Sequence, residues 1–330
     1  MSSVTQVPEL ARTGIGRLTP RDAWCTVRRH GAWPLLRETF TRFRYGDGFS
    51  HSRALGFQLT LAAIPLVIAA FGLITFVEFD ALRVVLQRTI LALVPGASQD
   101  LVVRTLDTFS SEKKVNVLAL TLGLAAAVTA LFTAMGQVQR GANRIYGVQR
   151  DEPALRKYTR AAVLAVLAGL PAMAGFVLLV TGAAFASAVE DVYGLDDDIV
   201  EAVAYPAGTV LLLTALTLVL RHGPCRKQPS HSLLVLGGAI AMAMWLGLTA
   251  LLGAFLDLAA GIGTVYGPLT GFMALLLWSQ LTSLAVFVAF ALSAELEAAF
   301  VGQLDAATDD PSDHAHETDR GPRRRGEADT

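Results

Sequence analysis

From Ala54 to Val77 the chain carries no charged side chain, and Arg53 and Glu78 close the stretch at its two ends. Five more stretches share the pattern: Val115–Met135, Ala161–Val189, Ala202–Leu220, Ser232–Leu256 and Pro268–Ala294. About 20 apolar residues of helix cross a hydrocarbon core of about 30 Å, and all six stretches are close to that length or beyond it. They are continuous apolar runs rich in Ala and Leu. The alternating ten-residue segments of a membrane barrel are not there. The pattern predicts an all-α, polytopic membrane protein with six transmembrane helices.

The segments between the spans are amphipathic rather than uniformly apolar. Trp33, Leu36, Phe40 and Phe43 recur at helical spacing, with Arg37 and Arg44 along one edge. Two placements stand for this N-terminal helix: in the membrane interface with its arginines among head groups, or packed against the bundle. After the first span, Ala81–Ser110 puts Leu82, Val85, Leu86, Thr89, Ile90 and Leu93 on one face and breaks at Pro95-Gly96. That predicts an external amphipathic helical hairpin between spans one and two. Asp257–Leu269 is short, glycine-rich and almost uncharged, which suits a tight external turn or a shallow re-entrant loop. The expected organisation is a flexible cytoplasmic N-terminus over 1–30, a six-span membrane domain over 31–302 and a disordered cytoplasmic tail over 303–330.

Composition agrees with the pattern. The 330 residues are 53% hydrophobic and 17% charged, with a mean hydropathy of +0.49, where a soluble domain carries about 25% charge. Arg and Lys number nine before span one, six between spans two and three, three between spans four and five and four in the tail. The loop after span three has none and holds Glu190, Asp191, Asp196, Asp197, Asp198 and Glu201 instead. Only the loop after span one, with five, blurs the alternation. The positive-inside rule then sets both termini in the cytoplasm. Cys25 and Cys225 fall on that reducing side, and two isolated thiols make neither a disulfide framework nor a zinc site. The first 50 residues are too charged for a secretory signal.

Candidate chemistry is sparse. The six uncharged stretches hold no ionisable residue between their ends, which argues against a proton antiporter built on a buried Asp or Glu. Polar and helix-breaking residues remain: Gln58 and Pro65 in span one, Pro171, Pro206, and Gln280, Thr282 and Ser283 midway in span six. They read either as interhelical hydrogen bonds and kinks or as a polar cavity or lateral gate between spans one and six. Of the six histidines only His314 and His316 lie close together, in the tail. No metal site, nucleophile elbow, phosphate loop or dinucleotide fingerprint is present, and Arg323–Arg325 is too small for a nucleic-acid surface. No catalytic residue, cofactor or metal is expected.

Three stretches resemble a known family: "GFSHSRALGFQLTLAAIPL" (48–66), "MGQVQRGANRIYGVQRDEP" (135–153) and "YGPLTGFMALLLWSQLTSLAVFVAFALSAELEAAF" (266–300). They look like the YihY/virulence factor BrkB family of bacterial inner-membrane proteins, formerly called ribonuclease BN-like, over roughly residues 35–302. This chain has Ser293-Ala294-Glu295 where many members read Gly-Ala-Glu, and Ala62 where serine is common. The resemblance implies six helices, the cytoplasmic membrane, no established enzyme activity and a link to envelope integrity or lipid movement. A soluble zinc hydrolase carries the true ribonuclease activity of that name, and its ligands are missing here. Arg53, Arg140, Asn143, Arg144 and Glu295 cluster at the expected inner mouth as candidate head-group contacts, with Arg53 or Arg144 as the expected partner of Glu295. The partners expected are membrane lipids and, if the chain is a scaffold and not a transporter, other envelope proteins. No nucleic acid is expected, and the sequence leaves the oligomeric state open.

Overall fold

The computed structural model describes residues 31–76, 113–148, 153–193, 196–226, 228, 231–258 and 268–301, with the single residues 28 and 84. The expected external hairpin at 81–110, both tails and most of the 257–269 connection lie outside the described residues. What is described is helical: α1 (Ala32–Tyr45), α2 (Gly48–Phe76), α3 (Lys113–Ile145), α4 (Ala154–Tyr193), α5 (Asp197–His222), α6 (His231–Leu258) and α7 (Pro268–Val301). Six of them, α2 to α7, are long and apolar enough to cross a membrane.

Most helices outrun the uncharged stretches that announce them. α3 continues ten residues past Met135, and α7 continues seven past Ala294. Nothing in helix energetics stops a helix where hydrocarbon ends, provided its next turns find partners. The ends obey local rules: Asp196 caps α5 by accepting from the Asp198 N–H (3.0 Å), while Arg221 and His222 face the negative end of its dipole. Pro65, Pro171 and Pro206 each sit inside a continuing helix, so each forfeits one backbone hydrogen bond without ending it.

The helices neighbour one another in the order α3–α2–α7–α6–α5–α4, and α1 lies chiefly on α7. Close approach is bought with small residues. A Cβ on Gly175 would lie 2.8 Å from the Gly208 carbonyl oxygen, which locks α4 onto α5. α3 and α4 also meet, around Leu131 and Gly169. The buried core collects where α2 begins and α7 finishes: Phe43, Leu55, Val138, Ala142, Ile145, Tyr146, Ala165, Leu220, Phe287 and Phe290. That end also holds Arg42, Arg53, Arg140, Arg144, Arg160, Arg221 and Arg226, and is called the basic end below. Elsewhere the bundle is apolar outside: Leu122, Leu170, Val210 and Leu251 are each more than half exposed. In water that surface would aggregate; in lipid it is solvated.

α7 is the exception. Its apolar window is 44% buried against 22–29% for the other five spans, and Ser283 and Ala285 begin a run that becomes continuously buried from Ala289 to Ala299. α7 is the central helix at the basic end.

Candidate functional site

The tightly packed basic end, the base of the bundle, is built around two carboxylates on α7. Glu295 and Glu297 stand two residues apart, so a helix aims them to opposite sides. Arg42 of α1 donates from Nε to Glu295 Oε1, and both side chains are almost fully buried. Its Nη1 reaches the Ile145 carbonyl at the end of α3 (3.3 Å). On the other side Arg226, in the α5–α6 connection, donates from Nη2 to Glu297 Oε1, again with both side chains buried. The same guanidinium lies 5.1 Å from the centre of the Tyr146 ring, a cation–π contact. α7 is therefore clamped from both flanks by arginines carried on segments that do not themselves span.

The α5–α6 connection is itself pinned. Asn143 Oδ1 accepts from the Cys225 N–H (2.6 Å), and Arg160 Nη2 donates to the His222 and Pro224 carbonyls (3.0 and 2.6 Å). Tyr146 is wholly buried against Phe290. Burial pushes its phenol above the ordinary value, and the Glu297 carboxylate pushes the same way.

Along α7 toward its other end, the helix crosses α2 at a polar point. A Cβ on Gly56 would lie 3.0 Å from both Gln280 Cα and Gln280 Oε1, so any larger residue would make Gln280 shift. Gln58 is half-buried two residues on, and its Oε1 is buried without a hydrogen-bond partner among the described residues. Two residues beyond Gln280, Thr282 accepts from Trp245 Nε1 of α6 (3.0 Å), and Ser283 donates to its own helix at the Ser279 carbonyl (2.8 Å). Phe176 of α4 closes on Trp278 and Trp245, with ring centres 5.2 and 6.2 Å apart. An aromatic layer thus bridges α4, α6 and α7 near the polar crossing.

The candidate gate residues divide accordingly. Gln280 lies at the α2–α7 crossing against Gly56, while Gln58, two residues on, is aimed to another side of α2. Thr282 belongs to the α6–α7 face, Ser283 is spent on its own backbone, and Pro65 sits more than two turns from Gly56 along α2. The inner-mouth set divides too. Asn143 holds a backbone amide. Arg144 pairs loosely with Asp47 (3.7 Å), both side chains being about half exposed, while Arg53 and Arg140 are exposed. The expected partner of Glu295 is corrected: it is Arg42, because α1 folds back onto α7 and reaches the carboxylate before any residue of α2 or α3 does.

Sequence reasoning passed over Arg42, Arg226, Glu297 and Tyr146. A signal existed for the first. Arg42 shares the helical face of Leu35 and Thr39, and a lone cation on an apolar face calls for a buried anion. Glu297 carried another, since two acids inside the otherwise apolar run 284–300 each need a cation.

The opposite end is chemically plain. Asp196, Asp197 and Asp198 form the one group of three metal-capable side chains among the described residues, at the start of α5, with Asp196 and Asp198 exposed and Asp197 partly so. Asp197 raises the Glu190 carboxyl above its ordinary value, with the other acids of this turn adding to it.

Comparison with known proteins adds two findings. The sequence profile of the virulence factor BrkB family matches residues 39–314. A Bacillus subtilis (strain 168) protein named as ribonuclease-like, YfkH, is 21% identical over 259 residues, which cover 77% of this chain and 91% of that protein. No solved structure matches.

Proposed function

We propose, because the chain belongs to the virulence factor BrkB family, that this multi-pass membrane protein moves a lipid or a lipid-like amphiphile across a bacterial cytoplasmic membrane. The observation that carries the reading is a buried, unmatched amide on α2, the helix that crosses α7 at Gly56. Two residues past that glycine, an apolar bundle keeps an amide oxygen of Gln58 buried and without a hydrogen-bond partner among the described residues. Such a group costs free energy until something donates to it, and a polar head group sliding along the crossing is a suitable donor. Its acyl chains would stay in the bilayer between the two helices. The polar residues lie on two helices joined by a glycine contact and by no hydrogen bond between their side chains among the described residues, an arrangement that separates cheaply.

The charge asymmetry of the loops supports cytoplasmic termini, with the basic end at the cytoplasmic face. The reading is non-enzymatic. Both buried carboxylates are held by arginines and offer neither a free base nor a metal ligand set. A zinc-supplemented assay on a precursor RNA tests this part directly; metal-dependent cleavage would overturn it.

The transport test uses purified full chain in vesicles with a fluorescent phospholipid in one leaflet. Wild-type protein should exchange the label between leaflets faster than empty vesicles. Gln280→Leu, which keeps shape and removes polarity, should slow exchange about fivefold or more. Rates equal to empty vesicles across several lipid classes would sink the transporter and leave a scaffold for other envelope proteins.

A further inference from the structure

The turn joining α1 to α2 is a built elbow. A Cβ on Gly46 would lie 2.9 Å from the Ile145 side chain, and one on Gly48 would lie 2.4 Å from the Phe43 ring. Between them Asp47 holds φ at 55°, a left-handed conformation uncommon outside glycine. The elbow folds α1 back so that Leu35, Thr39, Arg42 and Phe43 are buried, with Arg42 locked on Glu295. It also fixes Phe49 edge-on against both Phe40 and Phe43, with ring centres 6.3 and 4.8 Å apart.

The outer side of this elbow has one repeating chemistry. On α1, Trp33, Arg37, Phe40 and Arg44 follow each other at helical spacing, and all are exposed. On α2, Phe49, Arg53 and Phe57 do the same at intervals of four and are also exposed. The Phe40–Phe49 contact joins the two stripes. Among the described residues none of the guanidinia of Arg37, Arg44 and Arg53 has an ion-pair or hydrogen-bond partner. Three free cations interleaved with exposed aromatics, on a surface held rigid from behind by a buried ion pair, need an occupant that is anionic at one end and apolar at the other.

We infer that the α1–α2 elbow is a binding platform for an acidic, phosphate-bearing membrane lipid. The arginines take the phosphate, and Phe40, Phe49 and Phe57 flank the first carbons of the acyl chains. The inference rests on the reading above and deepens it by naming the head group from which the moving amphiphile would be drawn. The platform and the α2–α7 crossing share one helix, since Gly56 lies one residue before Phe57 on α2.

The experiment is equilibrium binding without any movement between leaflets, so it stands apart from the transport assay. Detergent-solubilised full chain is titrated with phosphatidylglycerol or phosphatidylcholine and bound lipid is counted by native mass spectrometry. The wild type should prefer phosphatidylglycerol by about tenfold or more, given about fivefold per arginine beside an anionic surface. Arg37→Gln/Arg44→Gln/Arg53→Gln should lose that preference, the corresponding triple lysine variant should keep most of it, and Arg156→Gln on exposed α4 sequence should change nothing. Millimolar inorganic phosphate should fail to displace the lipid. An unchanged preference in the triple glutamine variant overturns the platform. So does equal loss in Arg156→Gln, or complete displacement by free phosphate, which would make the site one for a soluble anion.

Discussion

The two halves of α7 face different problems. From Ala289 to Ala299 every residue is buried, two of them acidic and each answered by an arginine. From Phe272 to Trp278 none is fully buried, and the first polar neighbour is an amide crossing on a glycine. The first half is organised like a protein core, with charges allowed in only as matched pairs. The second is organised like a helix dissolved in lipid, where packing is optional and a polar group is the anomaly. Buried ion pairs are weak sources of stability, since desolvation offsets most of the attraction. Their service here is positional: they fix where α1, α7 and the α5–α6 connection meet. With that base fixed, the opening at the α2–α7 crossing that the proposed transport requires need not unfold the bundle.

The contrast sets the size of each mutational effect. Glu295→Ala should be the most damaging, because it strands the Arg42 cation in a buried site. The expected loss is about 3–5 kcal/mol, read by denaturant unfolding in detergent. Adding Arg42→Ala should recover part of it, and simple addition of the two losses would mean that the pair is not coupled. Gly56→Val comes next. Its side chain must push Gln280 aside, at about 1–3 kcal/mol if the crossing is tight. A fully neutral Gly56→Val would mean that α2 and α7 are already apart.

Tyr146→Phe acts only at high pH. A phenol whose folded pKa is raised favours the folded state fully below its unfolded value of about 10, and that contribution fades as pH climbs through the folded value. The wild type should therefore lose stability above about pH 10 more steeply than the phenylalanine variant, as followed by circular dichroism melts. The smallest effect belongs to Arg144→Ala. Its ion pair with Asp47 is loose and half-exposed, so about 1 kcal/mol or less is expected, vanishing in high salt.

The spans were legible in the sequence because hydrocarbon tolerates no alternative: six uncharged runs of the right length can do little else. The base was legible only in part. Glu295 was singled out with the wrong partner, because a single sequence does not say which way α1 folds at Gly46-Asp47-Gly48. Glu297 and Arg226 escaped because they lie 71 residues apart and their meeting is tertiary. Gln58 and Gln280 were grouped from polarity, and the structure sets Gln280 against Gly56 of the same helix as Gln58. Thr282, Ser283 and Pro65 were grouped with them on sequence position, and the helix geometry separates them. The α1 stripe left two placements open, and the structure shows packing on one face: Arg42 and Phe43 are buried while Trp33 and Phe40 are exposed.

The division into a fixed base and a separable crossing is tested most directly by paired spin labels on protein in lipid nanodiscs, with distances measured by pulsed double resonance. Labels at exposed Arg140 and His222 report the base, and labels at exposed Leu66 and Met273 report the α2–α7 side. The base pair should give one narrow distance that ignores added phosphatidylglycerol, while the α2–α7 pair gives a broad or two-peaked distribution that shifts with it. Two narrow, lipid-independent distances, or a base that spreads as widely as the crossing, would contradict that division.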